Sequence, residues 1–253
     1  MSDTHPDLIL TDHGEGITEI GLNRRPVNAL SPEFLMDFAA LLDRLEADET
    51  VRALVISSPF KVFSAGLDLK EAQTFDLAQE QAIVAALNIG FLRLFTFAKP
   101  VVVAVNGAAL AGGLFFVLAA DFRVAGPRAS FGLAEIRVGV DFPVGPMEIA
   151  RATLDPNALR RLMLTGQPIA VDHARDIGLV DMLVDGGDTV VERAVDEARK
   201  LAQLPSIAYA AVKRQIREPA VSAIESAIAQ GANAPAEGWF NAQTRDAMRR
   251  MIG

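Results

Sequence analysis

The 253-residue chain has no cysteine and three histidines, His5, His13 and His173. Without cysteine there is no disulfide, no thiol nucleophile and no Cys-ligated zinc, and a reducing compartment is allowed. Two histidines lie near the acidic N-terminus and one on a charged helical stretch. None stands in the apolar, glycine-rich setting that a Ser-His-Asp triad would need, and no G-x-S-x-G elbow occurs. No H-x-x-x-H and no carboxylate cluster suggests a metal. Neither G-x-x-x-x-G-K-[ST] nor a G-x-G-x-x-G after a strand is present, so nucleotide and dinucleotide cofactors lack their fingerprint. An enzyme made from this chain has to work with backbone groups and carboxylates. Positive charge is also short: 24 Lys and Arg against 32 Asp and Glu give a formal net charge of −8. That argues against nucleic acid and anionic membrane as partners. The longest apolar run falls far short of the roughly 20 residues of a membrane span. The start, MSDTHPDLIL, lacks the basic region of a signal peptide. A cytoplasmic-type protein is expected.

What is present is apolar: 51% of the residues are hydrophobic, enough for one sizeable domain or a domain with a smaller appendage. Strand patterns fall at 7–11, 17–22, 51–57, 101–105 and 122–125. Between them, SPEFLMDFAALLDRLEAD reads as a helix with Ser31 as N-cap and Pro32 at its first position, and 77–97 reads as a long helix stopped by Pro100. Alternating strands and helices predict an α/β class. From about Asp155 the pattern is helical: 157–164, 171–178, 189–204, 207–217, 221–231 and 235–251, with Pro205 and Pro219 as breaks.

Three stretches carry chemistry. In LAGGLFFVLAAD, 110–121, Gly112 and Gly113 precede an apolar helix with no charge until Asp121. In FSAGLDLKEA, 63–72, a second glycine turn joins a strand to a helix. Both expose backbone N–H groups at a strand-to-helix junction, which suits an oxygen gaining negative charge. The plain alternative is ordinary turn chemistry. In SFGLAEIRVGV, 130–140, Glu135 stands among small and apolar residues that would raise its pKa and make it a better base. Its plain alternative is a glutamate paired with Arg137 or facing water.

Taken together and in order, these segments resemble the crotonase superfamily, the enoyl-CoA hydratase/isomerase family. The resemblance runs along nearly the whole chain: NRRPVNALSPEFL at 23–35, FSAGLDLKE, KPVVVAVNGAALAGG with its K-P, N-G and G-G, FGLAEIRVG as F-x-x-x-E-x-x-x-G, and LMLTGQPIAVDHARDIGLVDMLV at 162–184. It implies a spiral core of ββα units at 1–190 that binds a coenzyme A thioester. A C-terminal helical region at 191–253 would serve oligomerisation and cover the active site. It implies a homotrimer or hexamer, with no cofactor beyond the coenzyme A of the substrate and no metal. The thioester oxygen would be held by the backbone N–H groups of Leu67 and Gly112. Coenzyme A would lie along Ala65, Gly66, Leu67, Asp68 and Leu69, with Asp68 alternatively capping the next helix. Arg24, Arg25 and Lys213 are candidates for its phosphates, against the plain reading that they are solvated surface.

One departure narrows the reaction. Hydratases of the family carry a glutamate three residues after the oxyanion glycine, and here that position is Phe115. Only Glu135 remains of the pair that positions a water. One glutamate suits proton shuttling from C2 to C4 of a 3-enoyl thioester, and the motif pattern is closer to the mitochondrial-type Δ3-Δ2-enoyl-CoA isomerases. Asp141 has two readings, a second acid turned inward or a solvated loop aspartate. Hydration by altered machinery, another crotonase-type reaction and a non-catalytic acyl-CoA-binding scaffold are the alternatives.

Overall fold

The computed structural model describes residues 6–185 and 189–252, so His5 lies outside the described residues. The chain begins with β1 (Leu8–Asp12) and β2 (Ile17–Leu22), then β3 (Ala29–Leu30) and α1 (Pro32–Ala47). The Ser31 side chain accepts from Phe34 N and Pro32 opens α1, as its sequence signals require. Next come β4 (Ala53–Ser57), β5 (Val62–Ser64), β6 (Gly66–Leu67), α2 (Leu69–Ala72) and α3 (Leu77–Thr96). They are followed by β7 (Val101–Val105), β8 (Ala108–Leu110), a 3-10 turn at Ala111–Leu114 and α4 (Phe115–Leu118). Then β9 (Phe122–Ala125), β10 (Ser130–Gly132), a 3-10 turn at Glu135–Val138, α5 (Val144–Thr153) and α6 (Pro156–Thr165) lead to β11 (Ile169–Ala170), α7 (Val171–Asp176) and β12 (Met182–Leu183). Three helices end the chain: α8 (Val190–Ala202), α9 (Ser206–Ala229) and α10 (Ala242–Ile252).

One motif repeats. A strand of a long sheet is followed by a short strand in a second layer and then by helix or 3-10 turn. The long sheet has the order β1-β2-β4-β7-β9-β12, and the second layer runs β11-β10-β8-β5 with β3-β6 beside it. All pairings are parallel except β1 with β2 and β10 with β11. Each turn of the winding therefore adds one strand to each layer, and the chain climbs as a spiral.

The long sheet is buried on both faces, which is why β4 and β7 are apolar without alternation. Ile17, Ala53, Val55, Val102 and Val124 meet Val190, Ala194, Val195 and Ala198 of α8. The other face joins the main core under α1, α3 and α4. Among the described residues no helix is long and apolar enough to cross a membrane.

Two sequence expectations fail in instructive ways. The apolar run behind Gly112 is not one helix but a 3-10 turn and a four-residue α4. So short an element has little macrodipole, and its free first N–H groups carry the local positive charge. In the C-terminal part, the two helices expected at 207–217 and 221–231 are one helix, α9 (Ser206–Ala229), which runs through Pro219, while 235–241 is irregular.

Candidate active site

The first glycine turn is tied down by Asn28. Its backbone is left-handed (φ 49°), and its buried amide donates to Ser58 Oγ (2.9 Å) and Phe63 O (2.8 Å). In return Ser64 Oγ donates to Asn28 O (2.8 Å), and Ala65 N donates to Val27 O (3.0 Å). This brings β6 against β3 and fixes Gly66–Leu67.

The second turn packs directly onto the first. A Cβ at Gly66, where φ is +79°, would lie 2.9 Å from Ala111 Cβ and 3.0 Å from Gly112 N. A Cβ at Gly113 would meet Ser64 O at 2.5 Å, and one at Gly112 would meet a Leu30 methyl at 2.8 Å. Gly113 is thus required by contact with the other turn, and Gly112 makes room for Leu30 of β3. Between them the chain forces Ala111 to φ +47°, an uncommon backbone for a residue with a Cβ. Gly112 is the second residue of the 3-10 turn, so its N–H has no partner within that turn.

These turns form one wall of a cavity of about 150 Å³, to which Ala65, Leu67, Leu69 and Gly112 all contribute. Glu135, Val138, Val140 and Phe142 form a second wall, and Trp239, Phe240, Met248 and Met251 a third. Two larger clefts, of about 610 and 770 Å³, run along α9 and touch none of these groups.

Glu135 is the one carboxylate lining the cavity. It is 6% exposed, and its Oε2 has no hydrogen-bond partner. Burial pushes its carboxyl up to about 8, against a smaller opposing effect of its own backbone N–H. The reading of a glutamate facing water fails, because Glu135 starts a 3-10 turn, is buried and lines the cavity. Phe115, 1% exposed, reaches the cavity from between Phe91 and Phe142, at ring distances of 5.5 and 6.4 Å. The position three residues past Gly112 therefore presents an aromatic ring to whatever binds.

Five sequence candidates are engaged elsewhere. Asp141 is exposed and outside the cavity lining, and its Oδ1 accepts from the Trp239 indole N–H (3.1 Å). The inward second acid is thus ruled out by geometry: the loop turns Asp141 toward the back of Trp239. Lys213 is 8% exposed and paired with Asp121 (2.6 Å), and it also donates to Lys99 O (3.1 Å), so it is not available to a phosphate. A cation on a helix looks alike in sequence whether it faces solvent or a buried partner. Asp68 caps α2, accepting from the backbone N–H of Lys70 and Glu71. Arg25 is exposed with its guanidinium over the Phe60 ring (5.2 Å), whereas Arg24 is held by Ala29 O (2.6 Å).

The sequence reading expected a C-terminal cover but named none of the residues of the third wall as site residues. It also missed Glu80, whose signal was available. Glu80 shares the helical face of Ile83, Val84, Leu87, Phe91 and Leu94, and a carboxylate on an apolar stripe demands a buried partner.

The spiral of ββα units defines a crotonase-fold protein. The sequence pattern described as enoyl-CoA hydratase/isomerase matches residues 12–246, and the chain belongs to that family. It is similar to human mitochondrial enoyl-CoA delta isomerase 1, 30% identical over 218 residues that cover 85% of this chain and 72% of that one. It is equally similar to Escherichia coli 2,3-dehydroadipyl-CoA hydratase, 30% identical over 227 residues that cover 88% of this chain and 86% of that one. Among solved structures, human mitochondrial Δ3-Δ2-enoyl-CoA isomerase superposes with a TM-score of 0.87 at 26% identity, covering 97% of this chain and 96% of that chain.

Proposed function

We propose that this protein is a Δ3-Δ2-enoyl-CoA isomerase that shuttles a proton with one glutamate. The observation that carries the reading is the lone Glu135 carboxylate, with Oε2 unpartnered, in a cavity otherwise walled by apolar groups that include Phe115. In the ionised form Glu135 removes a proton from C2 of a 3-enoyl-CoA. The electron pair moves onto the thioester oxygen, which accepts hydrogen bonds from Leu67 N–H and Gly112 N–H. Glu135, now neutral, returns the proton at C4 as the double bond settles between C2 and C3. A carboxyl pushed up to about 8 holds that proton readily between the two steps. Hydration needs a positioned water, and a phenyl ring at residue 115 neither binds nor activates one.

Coenzyme A lies along Ala65–Leu69, and no further cofactor takes part. The C-terminal helices act as cover and as assembly surface. α9 exposes Ile207 (87%) and Ile216 (72%), which favours a homotrimer or hexamer.

The deciding assay follows the near-ultraviolet absorbance of the conjugated enoyl thioester. A rise with 3-hexenoyl-CoA is the expected result. No rise with 3-hexenoyl-CoA, together with a fall on crotonyl-CoA, would make the protein a hydratase.

A further inference from the structure

The third wall of the cavity is pinned from outside. Glu80 on α3 is buried, and its Oε2 accepts from two successive backbone N–H groups, those of Trp239 (2.8 Å) and Phe240 (2.9 Å). Its Oε1 accepts from Arg245 (2.8 Å), which also donates to Gln73 O and Phe75 O. Gly238 makes the anchor fit: its φ is +80°, and a Cβ there would stand 2.3 Å from Glu80 Oε2. The neighbouring side chains of α3 grip the same segment, Gln81 through Pro235 O (3.0 Å) and Asn88 through Asn233 (2.8 Å). On the far side Thr244 Oγ1 donates to Gly139 O (2.8 Å), four residues beyond Glu135. Trp239 and Phe240 are stacked at 5.3 Å, so they move as one wall.

We infer that Glu80 is a positioning residue that fixes the Trp239–Phe240 wall and thereby limits the acyl chain to about six carbons, a dry apolar cavity of about 150 Å³ being the size that holds benzene. The inference rests on the reading that this cavity holds the acyl group of a coenzyme A thioester. Glu80 does not line the cavity and acts only through the segment it holds.

The test is calorimetric binding of saturated butanoyl-, hexanoyl-, octanoyl- and decanoyl-CoA, which no double-bond shift consumes. Each methylene that finds room should tighten binding about fourfold. In the wild-type protein that gain stops near six carbons. In Glu80→Ala it continues to octanoyl- and decanoyl-CoA. Gly238→Ala, which displaces the anchor while leaving Glu80 in place, gives the same shift and decides the question if Glu80→Ala does not fold. A merely structural Glu80 would lower thermal stability without moving the chain length at which the gain stops. A wild type with no such stop, or a folded Glu80→Ala that keeps it, overturns the inference. If no acyl-CoA of any length binds the wild type, the thioester reading falls first and takes this inference with it.

Discussion

Asp121 and Glu135 are two largely buried carboxylates, and the molecule treats them in opposite ways. Asp121 accepts from Val101 N (2.8 Å), Lys213 Nζ (2.6 Å) and Arg217 Nη2 (2.7 Å). Arg123 is close enough to feel it, and the Tyr209 hydroxyl lies beside it. Burial pushes Lys213 down to about 8 even so. Glu135 has a free oxygen and an apolar cavity in front of it. A buried charge with every lone pair satisfied holds elements together, here α9 to the start of β7 and the end of α4. A buried carboxyl with an unpartnered oxygen is held back from its charged form, which marks it as a candidate functional group.

Breaking each carboxylate in turn tests this contrast. The largest effect is expected from Glu135→Gln, which cannot accept the C2 proton. Isomerisation should fall toward the upper end of the ~10²–10⁴ range of general acid–base catalysis, with acyl-CoA binding nearly unchanged. Wild-type rates in the variant would remove Glu135 from the mechanism. Gly112→Pro deletes an oxyanion donor and should lower turnover by about 10²–10³. Because Ala111 is already left-handed, circular dichroism must show that the variant folds. A folded Gly112→Pro protein with full activity sinks the assignment of that N–H.

Asp121→Asn acts on the other side of the contrast. It leaves Lys213 and Arg217 unpaired and should cost about 3–5 kcal/mol in urea unfolding, while the rate per folded molecule stays the same. A loss of turnover in the folded variant would mean that the two carboxylates are coupled.

The pH dependence sharpens the contrast further. A base with a carboxyl near 8 gives a kcat/KM that climbs about tenfold per pH unit and levels off above 8. The sign for stability is opposite. The folded-state value lies above the ordinary glutamate value of 4.5, so the contribution of Glu135 is fully present below about 4.5 and is lost as pH rises through about 8. Glu135→Gln should therefore raise the Tm at pH 8 and change it little at pH 4. An equal shift at both values would mean that the carboxyl titrates normally.

The smallest expected effect is that of Phe115→Glu, a trace of crotonyl-CoA hydration. The new carboxyl, packed among Phe91 and Phe142, favours its neutral form. Efficient hydration by this variant would show that the ring at 115 was the only barrier between the two reactions.

Much of this was legible locally. The start of α1 is written in Ser31-Pro32, and Val101–Val105 reads as a doubly buried strand. Glu135 stood out as a charge among small apolar residues. What escaped was set by tertiary contact. Pro219 does not end α9, because Lys213, Arg217, Ala220 and Ile224 keep one face buried across it, which outweighs a missing backbone hydrogen bond. The 235–241 stretch, expected as helix, is broken at Gly238 (φ 80°), and Trp239 and Phe240 give their N–H groups to Glu80, 160 residues earlier for Phe240. The short strands of the second layer, two or three residues each, carry no periodicity to read.

The contacts of Gly66 with Ala111 and of Gly113 with Ser64 also bear on how such a protein changes over time. Neither turn tolerates a larger residue at these glycines unless the opposing turn moves, so these positions are locked as a set. Residues 115 and 135 project into open cavity and are bound by no such condition. A lineage built on this spiral is free to change the side chains that line the cavity while inheriting the paired turns, and laboratory redesign should follow the same division.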